Sequence, residues 1–251
     1  MHKPEQPMND TKTLELLHSL RLTAMADVYT TALQLGTAHT QPVSELLAYM
    51  VEAEINRRRE RKSQRLIKQA QIRIPASLEE VDLSPERGIP QGLFTSLATL
   101  DWVNYGHTLL VTGKTGSGKS FFASALAYES CLQGIKTYYV SASKLFLQFR
   151  MAKGDGSYLD ELQKLAKIPV VVIDDFGLAP LTQEDCLIFY DVLEDRYHKT
   201  GTIITSQLPV TAWHPLLLDP TLADAIMDRI AHTPYKIDIK GGSQRRKHQK
   251  D

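Results

Sequence analysis

The chain has 251 residues, which is enough for one full α/β domain with a small additional unit but too short for two large domains. Hydrophobic residues make up 43% and charged residues 23% of the sequence, with 14 Gly and 12 Pro, and this composition excludes collagen-like and wholly disordered chains. Because 29 basic residues balance 29 acidic ones, the net charge indicates no nucleic-acid or membrane partner, and evidence for either must come from local clusters.

Signals for export or membrane insertion are not evident in the sequence. Residues 1–10 are polar and contain no apolar signal-peptide core, and no later stretch approaches the roughly 18 apolar residues of a membrane helix. Cys131 and Cys186 lie far apart and outside any CxxC or His-rich spacing, which argues against a disulfide framework and a zinc site. We therefore expect a cytoplasmic protein with no membrane partner.

The first part of the chain is predicted to be helical, because Leu14, Leu17 and Leu20 repeat at helical spacing and similar apolar spacing recurs further on. Pro75 interrupts this pattern, and further prolines with Gly88 mark a connector that cannot continue a helix. The predicted organisation is a helical domain over 1–74, a linker over 75–91, a main domain over 92–240 and a basic tail over 241–251.

In the main domain, short β-branched runs alternate with stretches that suit helices. The run Val170–Ile173 is apolar without alternation, which is typical of a strand buried on both faces of a parallel sheet covered by helices. These patterns predict an α/β fold with about five strands, entered through the helical arm. The predicted strands are 108–112, 137–140, 169–173, 202–205 and 235–239.

A glycine-rich loop that fits G-x-x-x-x-G-K-[ST] follows the first predicted strand and precedes a helix-compatible run over 121–132. Glycines let successive N–H groups curl around phosphate oxygens, and the helix presents its positive end to the anion. Lys119 can reach the β- and γ-phosphates, and the Ser120 hydroxyl can ligate Mg²⁺. The predicted nucleotide-binding residues of this loop are Gly113, Lys114, Thr115, Gly116, Ser117, Gly118, Lys119 and Ser120.

Two acids, Asp174 and Asp175, end the apolar strand over 169–173. A carboxylate at the carboxyl end of a strand faces the ligand crevice, so Asp174 is predicted to coordinate Mg²⁺, either directly or through a water molecule. Asp175 is the candidate base that orients the water attacking the γ-phosphate. An Asp-Asp pair after a strand can also be a turn, but its place downstream of a phosphate loop favours the catalytic interpretation.

Three polar residues, Thr205, Ser206 and Gln207, end the next predicted strand. In a parallel sheet they lie at the same edge as the acids, where they can sense the γ-phosphate or its water. A polar turn before Pro209 is the alternative interpretation, and both remain open from the residues alone.

The order of a phosphate loop, an intervening strand, a strand ending in Asp-Asp and a strand ending in Thr-Ser-Gln resembles the AAA+ ATPases of the helicase-loader branch. More closely, it resembles the IstB-like ATPases that assist transposition of bacterial insertion sequences. Further matching residues are Leu20-Arg21-Leu22, Met25-Ala26, 52–59, Phe176-Gly177, Arg196-Tyr197 and Asp228-Arg229-Ile230. The resemblance implies a P-loop AAA+ core with a five-stranded parallel sheet, ATP and Mg²⁺ as cofactors, and an ATP site between subunits.

The resemblance also implies that an arginine from the neighbouring subunit completes the site. Arg229 matches the position of that arginine finger, and Arg196 is the second candidate. A planar guanidinium suits the charge on the γ-phosphoryl oxygens in the transition state. The sequence has Asp175 and Gln207 where AAA+ proteins more usually have Glu and Asn. Any second sensor would have to be an arginine of the C-terminal tail, at position 245 or 246.

Basic residues cluster over 57–73 and in the tail. Such clusters can neutralise DNA phosphates without reading bases, although a solvated helix face or a disordered tail is the alternative. Residues 150–154 are expected to form a loop that contacts DNA, by analogy with the channel of AAA+ rings. The predicted DNA contacts are Arg57, Arg58, Arg59, Arg61, Lys62, Arg65, Arg150 and Lys153.

Together with these features, the resemblance implies an ATPase whose subunits assemble as a ring or spiral on duplex DNA, with the helical domain over 1–74 serving assembly and DNA binding, and which selects target DNA and stimulates a partner transposase. A DnaC-type helicase loader is the alternative that shares the site. The Asp-Asp pair and the basic arm argue against a P-loop kinase acting on a small molecule. A scaffold that binds ATP without hydrolysing it is distinguished by measuring turnover.

Overall fold

Helices form the N-terminal part of the fold, as the apolar spacing predicts. The computed structural model describes residues 8–231 and 234–242, and the chain divides into two compact units, Met1–Ser63 and Gln64–Asp251. The helices here are α1 (Met8–Ser19), α2 (Thr23–Gln34) and α3 (Val43–Ala70), the last of which continues into the second unit. The first unit has a small core around Ala32, Leu46 and Met50.

The second unit is built on a parallel sheet with the strand order β2-β3-β4-β1-β5. This finding confirms the expected five-stranded parallel sheet. The sheet places β4 between β1 and β3, so the ends of these three strands meet at one edge. The strands are β1 (Thr108–Thr112), β2 (Thr137–Ser141), β3 (Val170–Phe176), β4 (Gly201–Ser206) and β5 (Tyr235–Asp238).

Alternate residues of each central strand face opposite layers of helices, which explains why their sequences are apolar without alternation. In β3, for example, Val171 and Ile173 belong to one apolar cluster, whereas Val170 and Val172 belong to another. The helices of this unit are α4 (Gln91–Ala98), α5 (Asp101–Asn104), α6 (Lys119–Leu132), α7 (Ala142–Asp155), α8 (Tyr158–Ala166), α9 (Gln183–Arg196) and α10 (Pro220–Ala231).

The predicted linker over 75–91 packs against the sheet of the second unit. It contains two short 3₁₀ turns, Leu78–Glu80 and Pro85–Arg87, and Ile89 is buried in the apolar cluster that also contains β1 residues. The boundaries at residues 74 and 91 stay predictions, and residues 243–251 of the predicted tail lie outside the described residues. In the described part of the chain, no helix combines the length and apolar character needed to cross a membrane.

Candidate nucleotide site

The glycine-rich loop connects β1 to α6, as predicted, and its glycines are required by its backbone shape. Gly113 has φ +145° and Gly118 has φ +100°, conformations that side chains strongly disfavour. A Cβ atom on Gly113 would also lie 2.3 Å from the carbonyl oxygen of Ile239. Because α6 begins at Lys119, directly after the loop, the positive end of its helix dipole faces the space that the loop encloses.

Two buried polar side chains of this loop suit a phosphate ligand. Lys119 is 5% exposed, and its Nζ atom donates a hydrogen bond to the carbonyl oxygen of Lys114 at 3.0 Å. The Ser117 hydroxyl oxygen is buried and has no hydrogen-bond partner among the described residues. Buried polar atoms are nearly always hydrogen-bonded in native proteins, so an orphaned hydroxyl in a phosphate loop fits a site completed by an anionic ligand.

The Ser120 and Asp174 side chains meet, as the magnesium prediction requires. Ser120 Oγ donates to Asp174 Oδ1 at 2.9 Å, and the Asp174 carboxylate is fully buried. The carboxylate also accepts hydrogen bonds from Thr205 Oγ1 at 2.5 Å and from the Tyr139 hydroxyl at 2.7 Å. Burial and the negative charge of Asp174 raise the pKa of the Tyr139 hydroxyl, so it stays a donor. A hydroxyl and a carboxylate are oxygen ligands of the kind that Mg²⁺ takes.

Asp175 has an unusual backbone conformation. Its φ is +58°, and the pairing of β3 with β4 is irregular between Ile173 and Phe176. Such an irregularity re-aims a side chain, and Asp is one of the few residues that tolerate a left-handed conformation. The Asp175 N–H donates to Thr205 Oγ1 at 2.9 Å, which fixes this conformation, while the carboxylate lines the cavity beside the loop.

The three polar residues at the end of β4, Thr205 and Ser206 within the strand and Gln207 after it, divide into two roles. The Thr205 hydroxyl donates to Asp174 and accepts from the Asp175 N–H. The Ser206 hydroxyl donates to the carbonyl oxygen of Phe176 at 2.7 Å, so both hydroxyls make their hydrogen bonds to β3. Gln207 instead accepts a hydrogen bond from the hydroxyl of Thr115, in the phosphate loop, at 2.6 Å. Of the three, Gln207 is therefore the residue best placed to contact a phosphate, which stays a prediction.

A cavity of about 650 Å³ brings these residues together, and its size is typical of a small-molecule site. Its floor is the phosphate loop, and its walls come from the segment after α3, the 75–91 segment and the ends of β3 and β4. The hydrogen-bond donors of the loop, its glycines and the Ser120–Asp174 pair fit a nucleoside triphosphate with Mg²⁺. Residues lining the cavity include Arg73, Val81, Arg87, Ile89, Thr115, Lys119, Asp175 and Gln207.

Sequence reasoning missed Arg87 and Tyr139, which shape this site. Arg87 is buried, and its guanidinium donates to the carbonyl oxygen of Ser117, so it braces the phosphate loop. Tyr139 holds the Asp174 carboxylate from β2. Both contacts join residues 30 or more positions apart, and neither Arg87 nor Tyr139 stands in a local motif. A tyrosine in a strand next to the acid-bearing strand is the one signal that could have suggested the Tyr139 contact.

The two candidate arginine fingers have different environments. Arg196 is 2% exposed and donates to the carbonyl oxygens of Leu165, Ile168 and Gly201 and to the Thr202 hydroxyl. Burial lowers the pKa of Arg196 to about 9, which still leaves the guanidinium charged at neutral pH. These bonds hold Arg196 inside its own subunit, so it is not available to a neighbour.

Arg229 lies on the surface of α10 and is held there by acids. Its Nε atom donates to Glu194 at 2.6 Å and its Nη1 atom to Asp228 at 2.8 Å. The guanidinium also lies over the Tyr197 ring, 5.3 Å from the centroid. Arg229 is therefore the candidate that another subunit can reach, and the finger role stays a prediction.

The predicted DNA contacts on α3 are mostly exposed side chains, although some also bind within the first unit. Arg57 pairs with Asp27 at 2.7 Å, and Arg58 pairs with Glu54 at 2.9 Å. Arg61 makes a longer contact, of 3.4 Å, with the Thr23 hydroxyl. Charges that protrude into solvent are Arg59, Lys62 and, in the second unit, Arg65.

The expected loop over 150–154 is wrong, because these residues form the last turns of α7, which ends at Asp155. Gly156, with φ +81°, is the glycine that ends this helix, whereas Gly154 lies within it. Arg150 forms an ion pair with Asp185. Lys153 Nζ lies 3.4 Å from Glu184. Their contact with DNA stays a prediction and would have to compete with these acids.

Comparison with known proteins gives consistent matches. The sequence profile of IstB-like ATP binding protein matches residues 15–251. The insertion sequence ATP-binding protein y4pL of Sinorhizobium fredii is 37% identical over 234 residues, covering 93% of this chain and 96% of the relative. The IS1162 ATP-binding protein of Pseudomonas fluorescens is 39% identical over 198 residues, covering 78% and 86%. The crystal structure of DnaI aligns with a TM-score of 0.56 and 24% identity, covering 67% of this chain and 96% of that chain.

The likeness to DnaI concerns the fold alone, and it agrees with the expected α/β core built on a five-stranded parallel sheet. The family expected from the order of the motifs is confirmed by the profile match over most of the chain. The chain therefore belongs to the family of IstB-like ATP binding proteins.

Proposed function

We propose that this chain is a Mg²⁺-dependent ATPase that assembles on duplex DNA, selects target DNA and stimulates a partner transposase. The ATPase activity is supported chiefly by the hydrogen bond between Ser120 and Asp174, next to Asp175, which lines the cavity beside the phosphate loop. The names of the relatives, which are insertion sequence ATP-binding proteins, support the link to transposition.

Each residue of the site has a distinct task in this proposal. Lys119 and the loop N–H groups bind the phosphates, and Ser120 and Asp174 hold Mg²⁺. Asp175 accepts a hydrogen bond from the attacking water and so orients it. Gln207, tied to Thr115, positions the same water or the terminal phosphate. When bound, ATP would supply the reactive γ-phosphoryl group, and Mg²⁺ would neutralise part of the negative charge on its oxygens.

Assembly is supported by apolar surface on the first unit. Eight large apolar side chains of this unit are over 40% exposed. A nucleotide contacted by two subunits adds its binding energy to their interface, and DNA that spans several subunits adds avidity. The exposed side chains include Leu16, Leu20, Leu35, Val43, Leu47 and Tyr49.

The decisive experiment measures ATP turnover by the full chain with and without duplex DNA, followed by electron microscopy of the ATP-bound complex. We expect Mg²⁺-dependent turnover that duplex DNA increases, and rings or spirals on the DNA. A chain that stays monomeric with every nucleotide and with DNA would contradict the proposal.

A helicase loader is the second candidate, because the chain shares its fold with the DnaC helicase loader, at a TM-score of 0.52 and 20% identity. Such a protein would use the same ATP site but would bind a replicative helicase through its N-terminal arm. Affinity purification of the chain separates the two functions, because recovery of a replicative helicase rather than a transposase would favour the loader.

Mixing two inactive variants tests whether Arg229 acts across an interface. Arg229→Ala and Asp175→Asn are each expected to lose turnover, but a mixed interface can join an intact acid with an intact arginine. In an equal mixture, about a quarter of head-to-tail interfaces would have this combination, so turnover should recover in part. The measurement is ATPase rate against mixing ratio on DNA. No recovery at any ratio would show that Arg229 acts within its own subunit or not at all.

The salt dependence of DNA binding tests the basic helix α3. The double variant Arg59→Gln with Lys62→Gln removes two exposed charges of the first unit. If both neutralise phosphates, the slope of log K against log salt should become shallower by about 2, at roughly 0.9 per phosphate. Fluorescence anisotropy with labelled duplex DNA at several salt concentrations gives this slope. Lys136→Gln with Lys144→Gln is the matched control, and an equal slope in both double variants would count against α3.

A further inference from the structure

Arg73, which the sequence places only in the basic cluster, lies against both acids of the nucleotide site. Its Nη1 atom is 3.3 Å from Asp175 Oδ2 and 3.7 Å from Asp174 Oδ2. The side chain lines the same cavity as Lys119 and Gln207. Arg73 is therefore a cation of the nucleotide site, supplied by the same subunit from a segment that precedes the sheet.

The backbone around Arg73 is fixed, whereas its side chain is not enclosed. Helix α3 ends at Ala70, and Gln71 then takes a left-handed conformation with φ +57°. Ile72 packs against the buried cluster that contains Leu66, Ala70 and Cys131. The Arg73 side chain, in contrast, is 59% exposed, and its one hydrogen bond to a described residue is made to Asp175. Its guanidinium can therefore turn within the cavity without disturbing the core.

The charges of the site determine where this guanidinium binds. Arg73 pairs with Asp175 and also approaches Asp174. Mg²⁺ held by Ser120 and Asp174 would place a second cation at the same carboxylate, and like charges this close repel each other. A terminal phosphate offers the guanidinium another anion in the same cavity, and its oxygens match the planar fork of arginine.

We propose that Arg73 is a specificity-determining residue that distinguishes ATP from ADP within its own subunit. It pairs with Asp174 and Asp175 when no terminal phosphate is present, and it binds the terminal phosphate of ATP. This inference rests on the proposed function as an ATPase. Lys119 and the loop N–H groups, in contrast, bind phosphates that both nucleotides have in common.

The test compares nucleotide affinities of the full chain, so it does not depend on turnover. Dissociation constants for ATPγS and for ADP, both with Mg²⁺, are measured by displacement of a fluorescent ADP analogue. Arg73→Ala should weaken ATPγS binding roughly ten- to a hundredfold, as loss of a charged hydrogen bond implies, and change ADP binding less than about threefold. Arg73→Lys should fall between the wild type and Arg73→Ala, since it keeps the charge but loses the fork.

Lys144→Ala is the matched control, because it removes an exposed positive charge from α7 in the same unit. Its two dissociation constants should equal those of the wild type. An equal change for ATPγS and ADP in Arg73→Ala, or no change, would overturn the inference. Tighter binding of ATPγS would also overturn it, because Arg73 would then compete with the metal. A wild-type chain that binds neither nucleotide would overturn the proposed function itself, which separates the two failures.

Discussion

Replacing Lys119 by alanine is expected to weaken ATP binding by a factor on the order of a hundred or more. The side chain is 5% exposed and reaches into the phosphate loop, where its ammonium group is assigned to two phosphates. Hydrogen bonds to charged groups contribute roughly 1.5–3 kcal/mol each, so losing two of them accounts for this factor. ATP-dependent assembly on DNA should disappear as well, since it requires bound nucleotide.

Fluorescent nucleotide titrations and DNA gel shifts with ATP check this expectation. Lys136→Ala is the matched control, because it removes an exposed lysine of the same unit and should leave both readouts unchanged. A melting curve shows whether Lys119→Ala is folded. Folded Lys119→Ala with wild-type nucleotide affinity would remove the phosphate-loop assignment.

Asp175→Asn is expected to lower the rate of ATP hydrolysis roughly 10²- to 10⁴-fold, the usual contribution of a general base, and to leave ATP binding intact. Asparagine has nearly the same size as aspartate and tolerates a left-handed backbone, so the bulge of β3 should persist. The amide removes the negative charge that orients the water. Because the ATP-bound state is then no longer ended by hydrolysis, the complex should remain on DNA.

Single-turnover hydrolysis, together with the lifetime of the complex on labelled duplex DNA, measures both effects. Asp160→Asn is the control, because it removes an exposed carboxylate of α8 in the same unit. Wild-type turnover by Asp175→Asn would contradict the assignment of the base. A variant that fails to bind ATP would instead indicate that the Asp175 charge supports binding rather than hydrolysis.

Local patterns were sufficient to predict the sheet and the position of the glycine-rich loop between β1 and α6. The phosphate loop is a contiguous motif, and the acids follow the apolar run that becomes β3, so short-range chemistry defines both. The Ser120–Asp174 contact could be predicted because the carboxyl ends of parallel strands meet at one edge.

Contacts between distant segments could not be predicted in this way. Arg73 and Asp175 are 102 residues apart, and within the sequence Arg73 is one more cation of a basic cluster. Nothing in the local sequence distinguishes the buried Arg196 from the more accessible Arg229, because the burial of Arg196 depends on two other segments, 165–168 and 201–202, that pack around it. The expected loop over 150–154 failed because it depended on an analogy with AAA+ rings, whereas these residues continue α7 as far as Asp155.

The left-handed backbone of Asp175 limits which amino acids evolution can place there. Asparagine and glycine accept such a backbone but provide no carboxylate, and glutamate provides the carboxylate but accepts the backbone less readily. Aspartate provides the carboxylate and accepts a left-handed backbone more readily than most residues. The amino acid at this position should therefore change only when the irregular pairing of β3 with β4 changes too. In a relative with glutamate at this position, we expect the end of this strand to pair regularly.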